Sequence, residues 1–162
     1  RRQRQMCIRD RGKDVLTNMH ANTTIPEVLG CARAYEVTGE QRWRDIVEAY
    51  WKLAVDQRGQ YATGGQTSGE IWSAPQALGA RLGDKNQEYC TVYNMLRLAD
   101  YLLRWTGDAR YADYIEMGIY NGLMAQASNQ VMAEYLRSTR TLLSQMAGYT
   151  PEQIESFTFL QE

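Results

Sequence analysis

The apolar positions of this chain recur at helical steps and are broken by glycines and prolines. Thr24, Pro26 and Glu27 mark the start of a first helix, since proline fits a first turn and an acid there complements the dipole. That helix is expected to run to Thr38 and stop at Gly39, where a left-handed cap favours a residue without a side chain. Trp43, Ile46, Val47, Tyr50, Trp51 and Ala54 then follow at steps of three and four, predicting an amphipathic helix over 41–57. A third helix, over 89–105, is apolar nearly all round, from Tyr89 and Cys90 through Leu96, Leu102, Leu103 and Trp105, and such a helix needs neighbours on several sides. A fourth, over 109–125, places Ala112, Ile115, Ile119 and Leu123 on one face.

Residues 58–87 break the pattern. They hold Pro75 and six of the thirteen glycines, and a long loop in a compact domain is functional or disordered. Further on, Val131, Met132, Tyr135, Leu136, Leu142, Leu143 and Met146 predict a helix over 130–146 that Gly148 ends. Thr150-Pro151-Glu152-Gln153 opens another through a capping box, with Ile154, Phe157 and Leu160 at helical spacing.

An internal repeat orders these elements. Thr38-Gly39-Glu40-Gln41-Arg42-Trp43-Arg44-Asp45 returns as Thr106-Gly107-Asp108-Ala109-Arg110-Tyr111-Ala112-Asp113, sixty-eight residues later, and Glu48 falls on Glu116. Each copy marks a turn between two helices, so the repeating unit is an αα-hairpin. The class is all-α. Two hairpins separated by a long loop favour a fragment of an (α/α)6 toroid over an α-solenoid, whose repeats run nearer 34–47 residues with short linkers.

Composition narrows the function. With 162 residues and 44% hydrophobic content the chain fits one ordinary domain, and no apolar run approaches a membrane span. The net charge of −1 hides five arginines within residues 1–11 against Asp10, leaving −5 on the rest. That basic tail has no aromatic partners and the body has no basic face, which argues against nucleic-acid binding. Met6-Cys7-Ile8-Arg9-Asp10-Arg11 reads as the translation of a transposon end used in sequencing libraries, so residues 1–11 are set aside as a non-native tail. The expected division is then 1–11, a partial α/α-barrel domain over 12–126, and an unrelated C-terminal helical hairpin over 127–162. Cys31 and Cys90 make no disulfide framework, and compartment and oligomeric state stay open.

Several strings carry a family resemblance: His20-Ala21-Asn22-Thr23-Thr24-Ile25-Pro26; Ala32-Arg33-Ala34-Tyr35-Glu36; Tyr61-Ala62-Thr63-Gly64-Gly65 with Gly69-Glu70; Glu88-Tyr89-Cys90-Thr91-Val92-Tyr93-Asn94-Met95-Leu96; Arg104-Trp105-Thr106-Gly107-Asp108; and Tyr120-Asn121-Gly122. In this order, over residues 17–126, the chain resembles glycoside hydrolase family 127, the β-L-arabinofuranosidases. The resemblance implies a carbohydrate substrate and a retaining hydrolysis. A glutamate acts as acid and then base, and a zinc-bound cysteine thiolate attacks the anomeric carbon, where most retaining glycosidases use two carboxylates.

Carried over by position, Glu70 resembles the acid/base. Following a glycine-rich turn and preceding Ile71 and Trp72, it could sit in an apolar pocket that raises its pKa; without the motif it is a solvated loop glutamate. Glu88 and Cys90 resemble the first two zinc ligands. They can reach one metal only where they precede or open the third helix, because i and i+2 diverge on a helix. Otherwise Cys90 is a small buried cysteine on an apolar helix. His20, the sole histidine, and Glu116 resemble sugar-binding residues; read alone, they are a capping or surface histidine and a solvated helix glutamate. The family's other two zinc ligands are adjacent cysteines far downstream, one of them the nucleophile, whereas no cysteine follows Cys90 here. Two of four ligands should hold zinc poorly and leave this chain inactive. Two alternatives stand beside this reading. A non-catalytic helical interaction module predicts no cluster of His20, Glu70 and Glu88. Another α/α-toroid carbohydrate enzyme would need a further histidine or carboxylate at the mouth.

Overall fold

The structure, a computed structural model, describes residues 14–83 and 85–125. The expectations for residues 1–11, for a helix over 130–146 and for a further helix after Thr150 lie outside the described residues. The chain divides into two units at Leu123 and Met124, and the elements that follow belong to the first.

The described part is mostly helical. α1 spans Ala21–Thr38 and α2 Gln41–Trp51, which passes into a π-helical segment, Lys52–Asp56. α3 spans Tyr89–Thr106 and α4 Ala109–Met117, which passes into a second π-helical segment, Gly118–Met124. α1 starts five residues before Pro26, earlier than the proline suggests, because Ala21 N–H is already bonded to the Glu70 carbonyl at 2.9 Å.

The two turns that the repeat marks are built alike. Gly39 and Gly107 take φ of 69° and 68°, the left-handed conformation in which glycine is favoured, and their N–H groups close on Tyr35 and Leu103 at 2.8 Å. Thr38 and Thr106 hydroxyls donate to the carbonyls four residues back and accept from the N–H of Glu40 and Asp108, each at 3.2 Å. Glu40 pairs with Arg42 and Asp108 with Arg110, and each guanidinium covers the next ring, Trp43 or Tyr111. Only Asp108 also caps its helix, accepting from Arg110 N–H at 3.0 Å; Glu40, one methylene longer, makes no side-chain cap.

α1 packs on α2, α3 on α4, and α1 on α3. The shared core includes Ile25, Val28, Val47, Tyr50, Met95, Leu98 and Leu102, all buried. Trp51 joins the two helix pairs, meeting Tyr111 and Tyr114 edge-on at 5.0 and 4.8 Å. Such geometry contributes about 0.5–1.5 kcal/mol per pair beyond burial.

Two face assignments made from the pattern are corrected. α3 is not apolar all round: Tyr93, Arg97, Asp100 and Arg104 are exposed on one side. On α4 the buried stripe is Tyr111, Tyr114, Gly118 and Gly122, offset by one residue from the expected Ala112, Ile115, Ile119 and Leu123; Ala112 and Ile119 are exposed. The reason is backbone proximity. A Cβ on Gly118 would lie 2.6 Å from Leu96, and one on Gly122 2.8 Å from both the Thr63 carbonyl and Val92. Glycines, not large side chains, let this segment reach α3.

The 58–87 stretch is more ordered than a loop reading implies. β1 (Thr67–Ser68) and β2 (Ile71–Trp72) pair antiparallel, with Thr67 opposite Trp72 and Ser68 opposite Ile71, and a short 3-10 turn follows at Gly79–Arg81. The stretch is tied down by buried polar side chains. Gln66 donates to the carbonyls of Ala54 and Gly59 and accepts from Tyr114 OH at 2.9 Å. Arg58 donates to Leu53 and Ser73 carbonyls and to Thr17, and pairs with Asp14.

Candidate active site

Three segments meet at the heads of α1 and α3. The first precedes α1: Trp72 N–H donates to Met19 O at 2.9 Å and Asn18 N–H to Trp72 O at 3.1 Å, so residues 18–20 lie against β2 through an isolated bridge, with His20 opposite Ile71. Trp72 fixes the same seam from inside. It is fully buried, and its indole N–H donates to Thr24 Oγ1 at 3.0 Å, which in turn meets the buried Tyr50 hydroxyl at 2.9 Å.

The second segment is the hairpin tip. Gly69 and Glu70 are its two turn residues, with φ of 59° and 70°. A two-residue hairpin turn with both φ positive is the type I′ form, which favours glycine or asparagine. A glutamate in that conformation costs roughly 1–2 kcal/mol. Strain of this kind collects at functional positions. Here it carries the Glu70 side chain to His20, where Nε2 lies 2.8 Å from Oε2. The contact serves either state of the carboxyl: an ionised Glu70 accepts from Nε2–H, and a protonated Glu70 donates to Nε2. Nδ1 is left buried with no hydrogen-bond partner among the described residues.

The third segment is the start of α3. Glu88 is the residue just before the helix, in extended conformation, and Cys90 lies in the first turn. Cys90 Sγ is 3.9 Å from Glu88 Oε2, which also accepts from Thr91 Oγ1 at 3.2 Å. Gly65 allows this approach, for a Cβ there would lie 2.4 Å from the Asn86 carbonyl. Burial, then the charge of Glu70, push the Glu88 carboxyl above the ordinary carboxylate range; Thr91, His20 and Cys90 pull it back in part. Glu88 therefore senses both members of the His20–Glu70 pair.

α1 and α3 run in the same direction, with His20 and Glu88 at one end and the Arg104–Glu36 ion pair at the other. That arrangement gathers Glu70, His20, Glu88 and Cys90 although they span seventy residues. Glu116 is not drawn in. It is exposed on α4, and no hydrogen bond or ion pair ties it to these four among the described residues. One expectation is corrected: the Glu70 side chain is 58% exposed at the hairpin tip rather than enclosed in an apolar pocket, because Trp72 turns into the core and away from it. The site also uses groups that the sequence pattern does not single out. Asn22 Oδ1 accepts from Asn94 Nδ2 at 2.8 Å, and both residues lie inside strings that carry the family resemblance. The Thr67–Trp72 hairpin could have been found from β-formers flanking a two-residue Gly-Glu gap.

The Glu88–Cys90 pair can be tested against zinc. With Zn–O of about 2.0–2.2 Å and Zn–S of about 2.3 Å, one ion can touch two donors 3.9 Å apart. The number of donors falls short. Zinc sites use three or four protein ligands, and among the described residues no group of three His, Cys, Asp or Glu converges to hold a metal. The pair fits part of a zinc site and not a whole one.

The helix pairs thus gather a carboxyl, an imidazole and a thiol at one end of a helical domain. The sequence model of the beta-L-arabinofuranosidase, GH127 catalytic domain, matches residues 1–145, and the chain belongs to this glycoside hydrolase family. The match encloses the strings over 17–126 and extends beyond them on both sides. None of the curated proteins matches the chain.

Proposed function

We propose that this chain carries the acid/base half of a retaining glycosidase that releases β-L-arabinofuranose from plant-type glycans, on two hairpins of an (α/α)6 toroid. The observation that carries this is the 2.8 Å contact between His20 Nε2 and Glu70 Oε2, made by a glutamate held in a strained turn. Glu70 gives its proton to the glycosidic oxygen as the bond to the anomeric carbon breaks. It later takes a proton from the water that completes hydrolysis. His20 orients the Glu70 carboxyl through this contact, and its part in holding the sugar rests on the resemblance. Glu88 and Cys90 would supply two of the donors to a zinc ion, which would keep a cysteine as thiolate at neutral pH. Because the pair alone is not a zinc site, no step is assigned through the metal. The role of Glu116 as a sugar-hydroxyl acceptor rests on the resemblance alone.

The test uses the 162-residue chain and an aryl β-L-arabinofuranoside. The chain alone should retain zinc weakly and show no turnover. Joined at residue 126 to a family segment carrying the adjacent cysteines, it should gain both. In that fusion Glu70→Gln should abolish turnover and leave the metal bound. Stoichiometric zinc in the unfused chain, or turnover that survives Glu70→Gln, overturns the assignment.

A further inference from the structure

The two halves of the candidate site sit on separate elements. His20 and Glu70 are fixed to each other through the β2 seam at the head of α1, and Glu88 and Cys90 belong to the head of α3. A site that needs both halves must fix the gap between them. Among the described residues, one side-chain hydrogen bond crosses directly from the first turn of α1 to α3. Asn94 Nδ2 donates to Asn22 Oδ1 at 2.8 Å, both side chains being half-buried. Its direction is fixed at the Asn94 end, since Asn94 Oδ1 faces Arg97 Nη1 at 3.5 Å and only the amide nitrogen is free to meet Asn22.

The placement is specific. Asn22 follows His20 by two residues. Asn94 follows Cys90 by four, one helical turn along the same face of α3. The bridge thus lies directly beneath the gap. We infer that Asn22 and Asn94 are positioning residues, whose amide bridge sets the separation between the His20–Glu70 pair and the Glu88–Cys90 pair. The inference rests on the reading of those four residues as one site. It gives the asparagines no part in the chemistry: among the described residues no hydrogen bond joins either side chain to His20 or Glu70, and they act by holding two helix heads in register.

His20 is the sole histidine, so its imidazole resonances in the unfused chain are assigned without ambiguity. The carboxylates that reach it are Glu70, in contact, and Glu88, across the gap. The ring chemical shifts of His20 report what lies against it, so letting the Glu88–Cys90 pair move away should displace them by more than a linewidth. Asn22→Ala and Asn94→Ala should each produce this shift while the far-ultraviolet spectrum stays native. The double variant should shift no further than either single one, because both remove the same bond. Shifts that add in the double variant, or ring resonances unmoved in both single variants, overturn the inference. Should Asn94→Ala fail to fold, Asn22→Ala in the first turn of α1 removes the same bond and tests the bridge by itself. Glu70→Gln separates this failure from failure of the functional reading. Ring resonances unmoved by Glu70→Gln remove the His20–Glu70 pair itself, whereas resonances moved by Glu70→Gln and not by the asparagine variants remove only the bridge.

Discussion

Glu70 holds a backbone conformation that most side chains avoid, and nothing in the local packing demands a glutamate there. A Cβ at the neighbouring Gly69 would meet nothing within 4 Å, so the turn is open and its strain is torsional rather than steric. Glu70→Gly should therefore raise stability by about 1 kcal/mol in urea unfolding, even though it removes the carboxyl. A loss of stability would mean that the bond to His20 outweighs the strain. Glu70 was legible because it stands in a recognisable string. Its setting was not legible, because the hairpin that presents it depends on pairing with residues 18–21, about fifty positions earlier in the chain. The residues after Glu70 are apolar, yet Trp72 spends its bulk in the core on Thr24 and Tyr50 and leaves the carboxyl open to solvent.

At the scale of elements, the repeat was the most legible feature, because a left-handed glycine after a threonine fixes the turn by itself. Gly39→Ala and Gly107→Ala should each cost about 1 kcal/mol, and by similar amounts, since neither site offers a clash and both carry the same φ. Unequal losses in paired urea titrations would show that the two turns are not equivalent. Gly65→Ala belongs to a different class. Its Cβ would press on the Asn86 backbone, which leads directly into Glu88, so a loss above about 2 kcal/mol is expected. What escaped the sequence at this scale has a common cause. β1 and β2 are two residues each, too short to alternate visibly. The buried stripe of α4 uses tyrosines and glycines in place of aliphatic residues, so an aliphatic count shifts the face by one position.

At the scale of the whole first unit, the segment that leads into His20 is anchored by a single buried cation. Arg58 is 3% exposed, and its guanidinium holds Asp14, Thr17 and the carbonyls of Leu53 and Ser73. Asp14 and Arg58 lie 44 residues apart, and no local pattern announces the pair. Burial opposes the Asp14 charge, but hydrogen bonds from Thr17, Arg58 and Leu16 N–H outweigh it and bring the carboxyl down to about 2. The sign follows from that depression. The folded chain binds this proton less readily than the unfolded one, so the stabilisation is complete above the ordinary value of 3.8 and is lost as pH falls toward 2. Asp14 is partly solvated, so screening limits the effect to about 1 kcal/mol. Asp14→Asn should flatten the fall in stability between about pH 4 and pH 2 by that amount. It should also lower stability at neutral pH, where the wild-type ion pair is intact. His20 resonances should broaden in this variant, because residues 14–19 lead into the bridge that sets His20 opposite Ile71, beside Glu70. An acid profile identical to wild type, with His20 unchanged, would show that the β2 seam alone holds the histidine in place.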